Sequence, residues 1–105
     1  MSTVEVTRDG PVAVIRMNRP EVHNALDPAM LDLLLAMVKE ATADQATRAI
    51  VLTGGPKAFN TGEDLVAAAG LTPEQMKAQA AQFQELATAL RFAPQPVIAA
   101  VGGYA

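Results

Sequence analysis

Cysteine and tryptophan are absent from the 105 residues, and there is one histidine and one tyrosine. Without cysteine there is no disulfide framework and no thiolate metal site, and cysteine usage leaves the redox compartment open. The remaining side chains form no metal-ligand cluster and no Ser-His-Asp arrangement, so no metal is expected. Thr53-Gly54-Gly55-Pro56-Lys57 lacks the spacing and the Lys-Ser/Thr ending of a phosphate-binding P-loop. No uncharged apolar stretch approaches the roughly 20 residues of a membrane helix. The N-terminus, Met1-Ser2-Thr3-Val4-Glu5-Val6, lacks a basic region followed by an apolar one, so a soluble cytoplasmic protein is expected. Positive charge is scarce, with 8 Lys and Arg against 11 Asp and Glu and a net charge of −3, which argues against nucleic acid as the main partner.

Apolar residues, in contrast, make up 50% of the chain, and the mean hydropathy is +0.19. A chain of this length buries only about 60 to 68% of the surface its unfolded form exposes. The apolar content therefore exceeds what one small domain covers, and a partner chain or a further half of the fold is expected to cover the rest.

Val4 to Thr7 and Val12 to Met17 are β-rich runs joined by Asp9-Gly10-Pro11, a hairpin signal. After the polar loop from Asn18 to Leu26, Asp27-Pro28 supplies an N-cap and a proline at the first helical position. Met30, Leu31, Leu34, Met37, Val38 and Ala41 then recur on one helical face, with Asp32, Lys39 and Glu40 toward solvent. Ala49 to Thr53 reads as a buried strand, giving a strand-helix-strand unit with parallel pairing. Thr72-Pro73-Glu74-Gln75 is a capping box, and Met76, Ala80, Phe83, Ala87 and Leu90 form one apolar stripe on the helix that follows. Pro94 and Pro96 end that helix, and Val97 to Val101 suits a buried parallel strand.

Between the Ala49–Thr53 strand and a short helical stretch from Leu65 to Ala69 lies Phe59-Asn60-Thr61-Gly62-Glu63-Asp64-Leu65. A strand-to-helix turn leaves backbone N–H groups unpaired at the positive end of a helix dipole, a place to hold developing negative charge on an oxygen. Gly62 permits the sharp turn and a close backbone approach, and Asp64 suits an N-cap.

These residues resemble the crotonase family, the enoyl-CoA hydratase/isomerase superfamily, whose members carry Phe-x-(small)-Gly-x-Asp-Leu here. Met17-Asn18-Arg19-Pro20-Glu21 with Asn24-Ala25-Leu26 is similar to the family's first loop, and Pro94-Gln95-Pro96-Val97 through Val101 to its later strand. The resemblance implies a fold of class α/β, the family's spiral of ββα units, present here in part as hairpin, helix, strand, helix and strand. It implies that residues 1–105 are the N-terminal part of such a domain, truncated before the second oxyanion-hole glycine, with Gly102 at the usual asparagine position.

The family's chemistry implies an acyl-CoA substrate, with coenzyme A entering as part of the thioester and no permanently bound cofactor. Hydration of a 2-enoyl-CoA through an enolate is the leading reaction, double-bond isomerisation the next. Relatives assemble as trimers or hexamers, so a homo-oligomer is expected. By position, the Glu63 backbone N–H is the oxyanion donor. The Thr61 carbonyl and the Ala25 backbone meet the adenine, His23 sits near the phosphates, and Gly62, Asp64 and Leu65 complete the binding motif. Arg19 and Lys57 are candidates for phosphate contact. Family members commonly place a small residue at the Glu63 position, so its carboxylate is expected to point away from the thioester. The catalytic glutamates of relatives lie beyond Ala105, so the chain alone is expected to be inactive. A non-catalytic binding or assembly module and a truncated remnant are the alternatives.

Overall fold

The computed structural model describes residues 2–105. Two strands open the chain, β1 (Val4–Asp9) and β2 (Val12–Met17), joined by a two-residue loop in which Gly10 takes φ 58°. That left-handed position is what a tight hairpin turn requires and glycine tolerates. A 3-10 turn (Pro20–Val22) leads to α1 (Pro28–Ala43), then β3 (Ala49–Thr53), the single-turn α2 (Leu65–Ala68), α3 (Pro73–Arg91) and β4 (Val97–Ala100). Among the described residues no helix is long and apolar enough to cross a membrane.

The strands form one sheet in the order β1-β2-β3-β4, antiparallel at β1/β2 and parallel at the other two pairings. Alternation along β2 and β3 sends Ala13, Ile15, Met17, Ile50 and Leu52 to the helical side, where they are buried with α1. The opposite face carries a row in cross-strand register, Thr7, Val14, Val51 and Ile98.

Helix α1 starts where its chemistry dictates. The Asp27 carboxylate accepts from the Met30 N–H at 2.8 Å, and Pro28 needs no hydrogen-bond acceptor at the first turn. Met30, Leu31, Leu34, Leu35, Val38 and Ala41 fill the space between sheet and α3, while Met37 is only partly buried. The capping box of Thr72 and Gln75 starts α3 as expected.

Two expectations need correction. The covered face of α3 is centred on Gln79 and Leu86, with Phe83, Ala89 and Leu90 partly buried; Met76, Ala80 and Ala87 are exposed. The polar Gln79 sits on the covered face because α3 packs on α1 at that side, so the apolar stripe turns about a quarter of the helix away from the core. Strand β4 does pair in parallel with β3, but it is the edge of the sheet, and Ile98, Ala99 and Ala100 are exposed. Only Val97 of the strand is partly buried, against the core.

Candidate functional site

The segment from Phe59 to Asp64 is held by hydrogen bonds reaching across from the Arg19–Asp27 loop. His23 and Asn24 both adopt left-handed backbone, φ 54° and 61°, which folds that loop back on itself. Such a conformation costs roughly 1–2 kcal/mol for a side-chain-bearing residue, and asparagine tolerates it best. Asn24 is 2% exposed and its amide offsets the strain. Its Oδ1 accepts from the Arg19 N–H at 2.7 Å, and its Nδ2 donates to the carbonyls of Ala58 and Phe59 at 3.0 and 3.1 Å. Gly54 makes room for this: a Cβ there would lie 2.7 Å from Asn24 Nδ2 and 2.3 Å from the Ala58 carbonyl oxygen.

Asn60 closes the next link. Its Nδ2 donates to the Asn24 carbonyl at 2.6 Å, and its Oδ1 accepts from the Gly62 N–H at 2.7 Å. Gly62 itself takes φ 96°, a region that side chains rarely enter, with open space where a Cβ would stand.

Leu26 and Glu63 then form an isolated parallel bridge. The Leu26 N–H donates to the Gly62 carbonyl at 2.8 Å, and the Asp64 N–H donates to the Leu26 carbonyl at 2.9 Å. Successive groups along an extended chain point to opposite edges, so the Glu63 N–H points away from Leu26. Among the described residues no acceptor takes it. A dipole argument placed this free amide at the start of a helix. Helix α2 has only four residues, so its dipole is small, and the bridge does most of the orienting.

Asp64 caps α2: Oδ1 accepts from the Val66 and Ala67 N–H groups at 3.0 and 3.1 Å. Its Oδ2 accepts from Arg19 Nη1 at 2.7 Å. The Ala67 amide and then the Arg19 guanidinium hold the Asp64 carboxyl below its ordinary pKa of 3.8, against the opposing effect of burial. Asp64 raises the Arg19 pKa in return. Arg19 also donates to the Ala25 carbonyl at 3.0 Å and pairs with Asp27 at 3.5 Å. A phosphate contact by Arg19 is therefore displaced by three oxygens of its own chain, a pairing 45 residues apart that local sequence does not signal.

The other expected site residues lie as follows. The Thr61 carbonyl accepts no hydrogen bond among the described residues, and its hydroxyl donates to the His23 carbonyl at 3.4 Å. Ala25 is buried, with its N–H on the Val22 carbonyl. The exposed His23 ring stands 5.3 Å from that of Tyr104. Leu65 is exposed. Lys57 forms no ion pair among the described residues and, with Arg16, borders a cleft of about 210 Å³ beside Asn18 and Asn24.

Two open apolar clefts flank the bridge. One, of about 640 Å³, runs from Glu63 and Ala68 along Met76, Ala80, Phe83 and Ala87 of α3. The other, of about 480 Å³, is lined by Met17, Leu26, Phe59, Thr61, Gly62 and Leu86 among others. The groove at Glu63 is thus formed by α2 and α3. The exposed α3 stripe is its wall.

Comparison with known proteins bears on the family and the fold. A family model described as enoyl-CoA hydratase/isomerase matches residues 7–105. A probable enoyl-CoA hydratase of Rhodobacter capsulatus is 44% identical over 96 residues, which is 90% of this chain and 36% of that protein. The mitochondrial enoyl-CoA hydratase of Pongo abelii is 38% identical over 93% of this chain and 33% of its own length. The crystal structure of enoyl-CoA hydratase from Bacillus anthracis superposes with a TM-score of 0.90 at 33% identity, over 97% of this chain and 40% of that one. The chain therefore spans little more than a third of the curated relatives it matches.

Proposed function

The chain belongs to the enoyl-CoA hydratase/isomerase family, and from that premise we propose that it forms one wall of an acyl-CoA site, with the Glu63 N–H as a donor to the thioester oxygen. The observation that carries this reading is the unpartnered Glu63 amide, set by the Leu26 bridge at the head of an apolar groove. A thioester carbonyl accepting that N–H is polarised, and the enolate oxygen formed from it is stabilised more strongly still. One such donor is worth about 10²- to 10³-fold in rate.

The rest of the ligand follows from the neighbouring groups. The acyl chain runs along Met76, Ala80, Phe83 and Ala87. The free Thr61 carbonyl accepts from the adenine amino group, next to the backbone of Ala25. Arg16, Lys57 and the exposed His23 supply positive charge or hydrogen bonds to the phosphates. Gly62 keeps the approach open, Asp64 holds the turn, and the exposed Leu65 borders the entry.

Hydration of a 2-enoyl-CoA also requires a proton donor and acceptor. Asp64 is committed to Arg19 and to the α2 cap, and Glu63 is an exposed residue at the rim of the cleft. We therefore assign these 105 residues to binding and carbonyl polarisation, with acid, base and a second oxyanion donor supplied from outside them and assembly as a homo-oligomer.

Isothermal titration with crotonyl-CoA and an absorbance assay of its hydration, both on the 105-residue protein, test the reading. Binding without turnover is expected, weakened about 5- to 160-fold by Gly62→Val, the equivalent of roughly 1–3 kcal/mol of local strain. Hydration at a rate near that of a full-length relative would contradict the assignment, and absence of any binding would remove it.

A further inference from the structure

We propose that Arg19 is a positioning residue whose guanidinium, placed between the Asp27 and Asp64 carboxylates, sets the direction of the Glu63 N–H; this rests on the acyl-CoA reading above.

The bridge brings Leu26 alongside Glu63, and the next residue on each strand is an aspartate that caps a helix. The parallel bridge thus sets Asp27 and Asp64 side by side at the next position of each segment. Like charges opposite one another on paired strands are destabilising. Arg19 Nη1 lies 2.7 Å from Asp64 Oδ2 and 3.5 Å from Asp27 Oδ2, so the cation sits where the two carboxylates would otherwise repel. The same nitrogen donates to the Ala25 carbonyl at 3.0 Å, one residue before the bridge begins. The loop that the acyl-CoA reading assigns to adenine and the turn it assigns to the thioester are therefore tied to one atom.

The geometry is demanding because Glu63 contributes no side chain to its own placement. Its amide direction depends on the Leu26 and Asp64 hydrogen bonds on either side, and both would lengthen if the carboxylates moved apart. Arg19 is mostly covered, with its side chain 21% exposed, so bulk water supplies little of the screening that would replace it. Hydrogen bonds to charged groups of this kind are worth about 1.5–3 kcal/mol, or roughly 10- to 100-fold in an opening equilibrium.

Amide hydrogen exchange on the 105-residue protein tests this without any ligand. In Arg19→Met, protection of the Leu26 and Asp64 amides is expected to fall about 10- to 100-fold while the β1/β2 hairpin amides keep theirs. Unchanged protection at Leu26 and Asp64 would overturn the proposal. If Arg19→Met melts the whole sheet, Arg19→Lys decides: it keeps the charge and should restore the hairpin, with a smaller local loss at the two amides. No local loss in that variant would overturn the proposal equally. Titration with crotonyl-CoA, following the Glu63 amide resonance, separates the two levels. A Glu63 resonance that does not move in the unaltered protein defeats the acyl-CoA reading and leaves the exchange result standing. A resonance that moves as far in the Arg19 variant as in the unaltered protein defeats the positioning role.

Discussion

The two edges of the sheet are built to opposite rules. Strand β1 carries Glu5, Arg8 and Asp9, and Arg8 is tied down by Asp44 at 3.2 Å and by the Thr47 hydroxyl at 2.9 Å. Strand β4 is Val-Ile-Ala-Ala, without charge, and leaves Ile98 53% exposed beside Val101 at 54%. Charges along an edge prevent another strand from adding to it, whereas a flat apolar edge invites one. The first edge resists the addition of a strand; the second does not. Parallel strands are ordinarily buried on both faces, and in β4 only Val97 is partly covered, against the core. The Glu63 turn is bridged to Leu26, and the segment leading into it is bridged at Ala58 to Tyr104, beyond β4.

If that contrast is right, damage on the closed side should cost stability and damage on the open side should cost assembly. The largest effect is expected at Leu34, which is 2% exposed beneath the sheet. Leu34→Ala should lower unfolding stability by about 2–5 kcal/mol in urea denaturation. A cost under 1 kcal/mol would mean that the α1 layer is loosely packed. Asn60→Ala removes the acceptor of the Gly62 N–H and the donor to the Asn24 carbonyl, and should cost about 1–3 kcal/mol.

Acid should act next, through Asp64. Its pKa is lower in the folded state than its ordinary 3.8, so the stabilisation is present above that value and is lost as pH falls through the folded one. The amides of Val66 and Ala67 should therefore lose exchange protection below about pH 4, before those of the hairpin. Asp64→Asn keeps an acceptor for the cap and should remove this pH dependence. The smallest effect on unfolding is expected at the open edge. Ile98→Lys should change stability by no more than about 0.5 kcal/mol, yet shift the sedimenting species toward monomer at micromolar concentration. A compact, cooperatively unfolding monomer of the unaltered chain would break the contrast outright.

How much of this could be read beforehand divides along the range of the interactions. The hairpin, both proline-assisted helix starts and the Asp64 cap depend on residues within a few positions of one another, and they stand where the sequence indicated. The buried face of α3 does not follow from its apolar stripe, because Phe83 and Leu90 belong to both candidate faces and Gln79 is a polar residue on the covered one. An apolar run identifies β4 as a strand but carries no record of what lies over it. The Arg19 contacts join positions 19, 25, 27 and 64, and only the folded chain brings them together. The turn at Gly62 was legible from its glycine; the bridge that orients the next amide was not.

Whether the Glu63 N–H binds a thioester oxygen is read by difference infrared spectroscopy of crotonyl-CoA labelled with carbon-13 at the thioester carbonyl. The carbonyl stretch should move to lower wavenumber when the labelled ligand binds the 105-residue protein, and the movement should vanish in Gly62→Val, where the positive φ is denied. A bound ligand whose carbonyl stretch is the same as in free solution would contradict that contact.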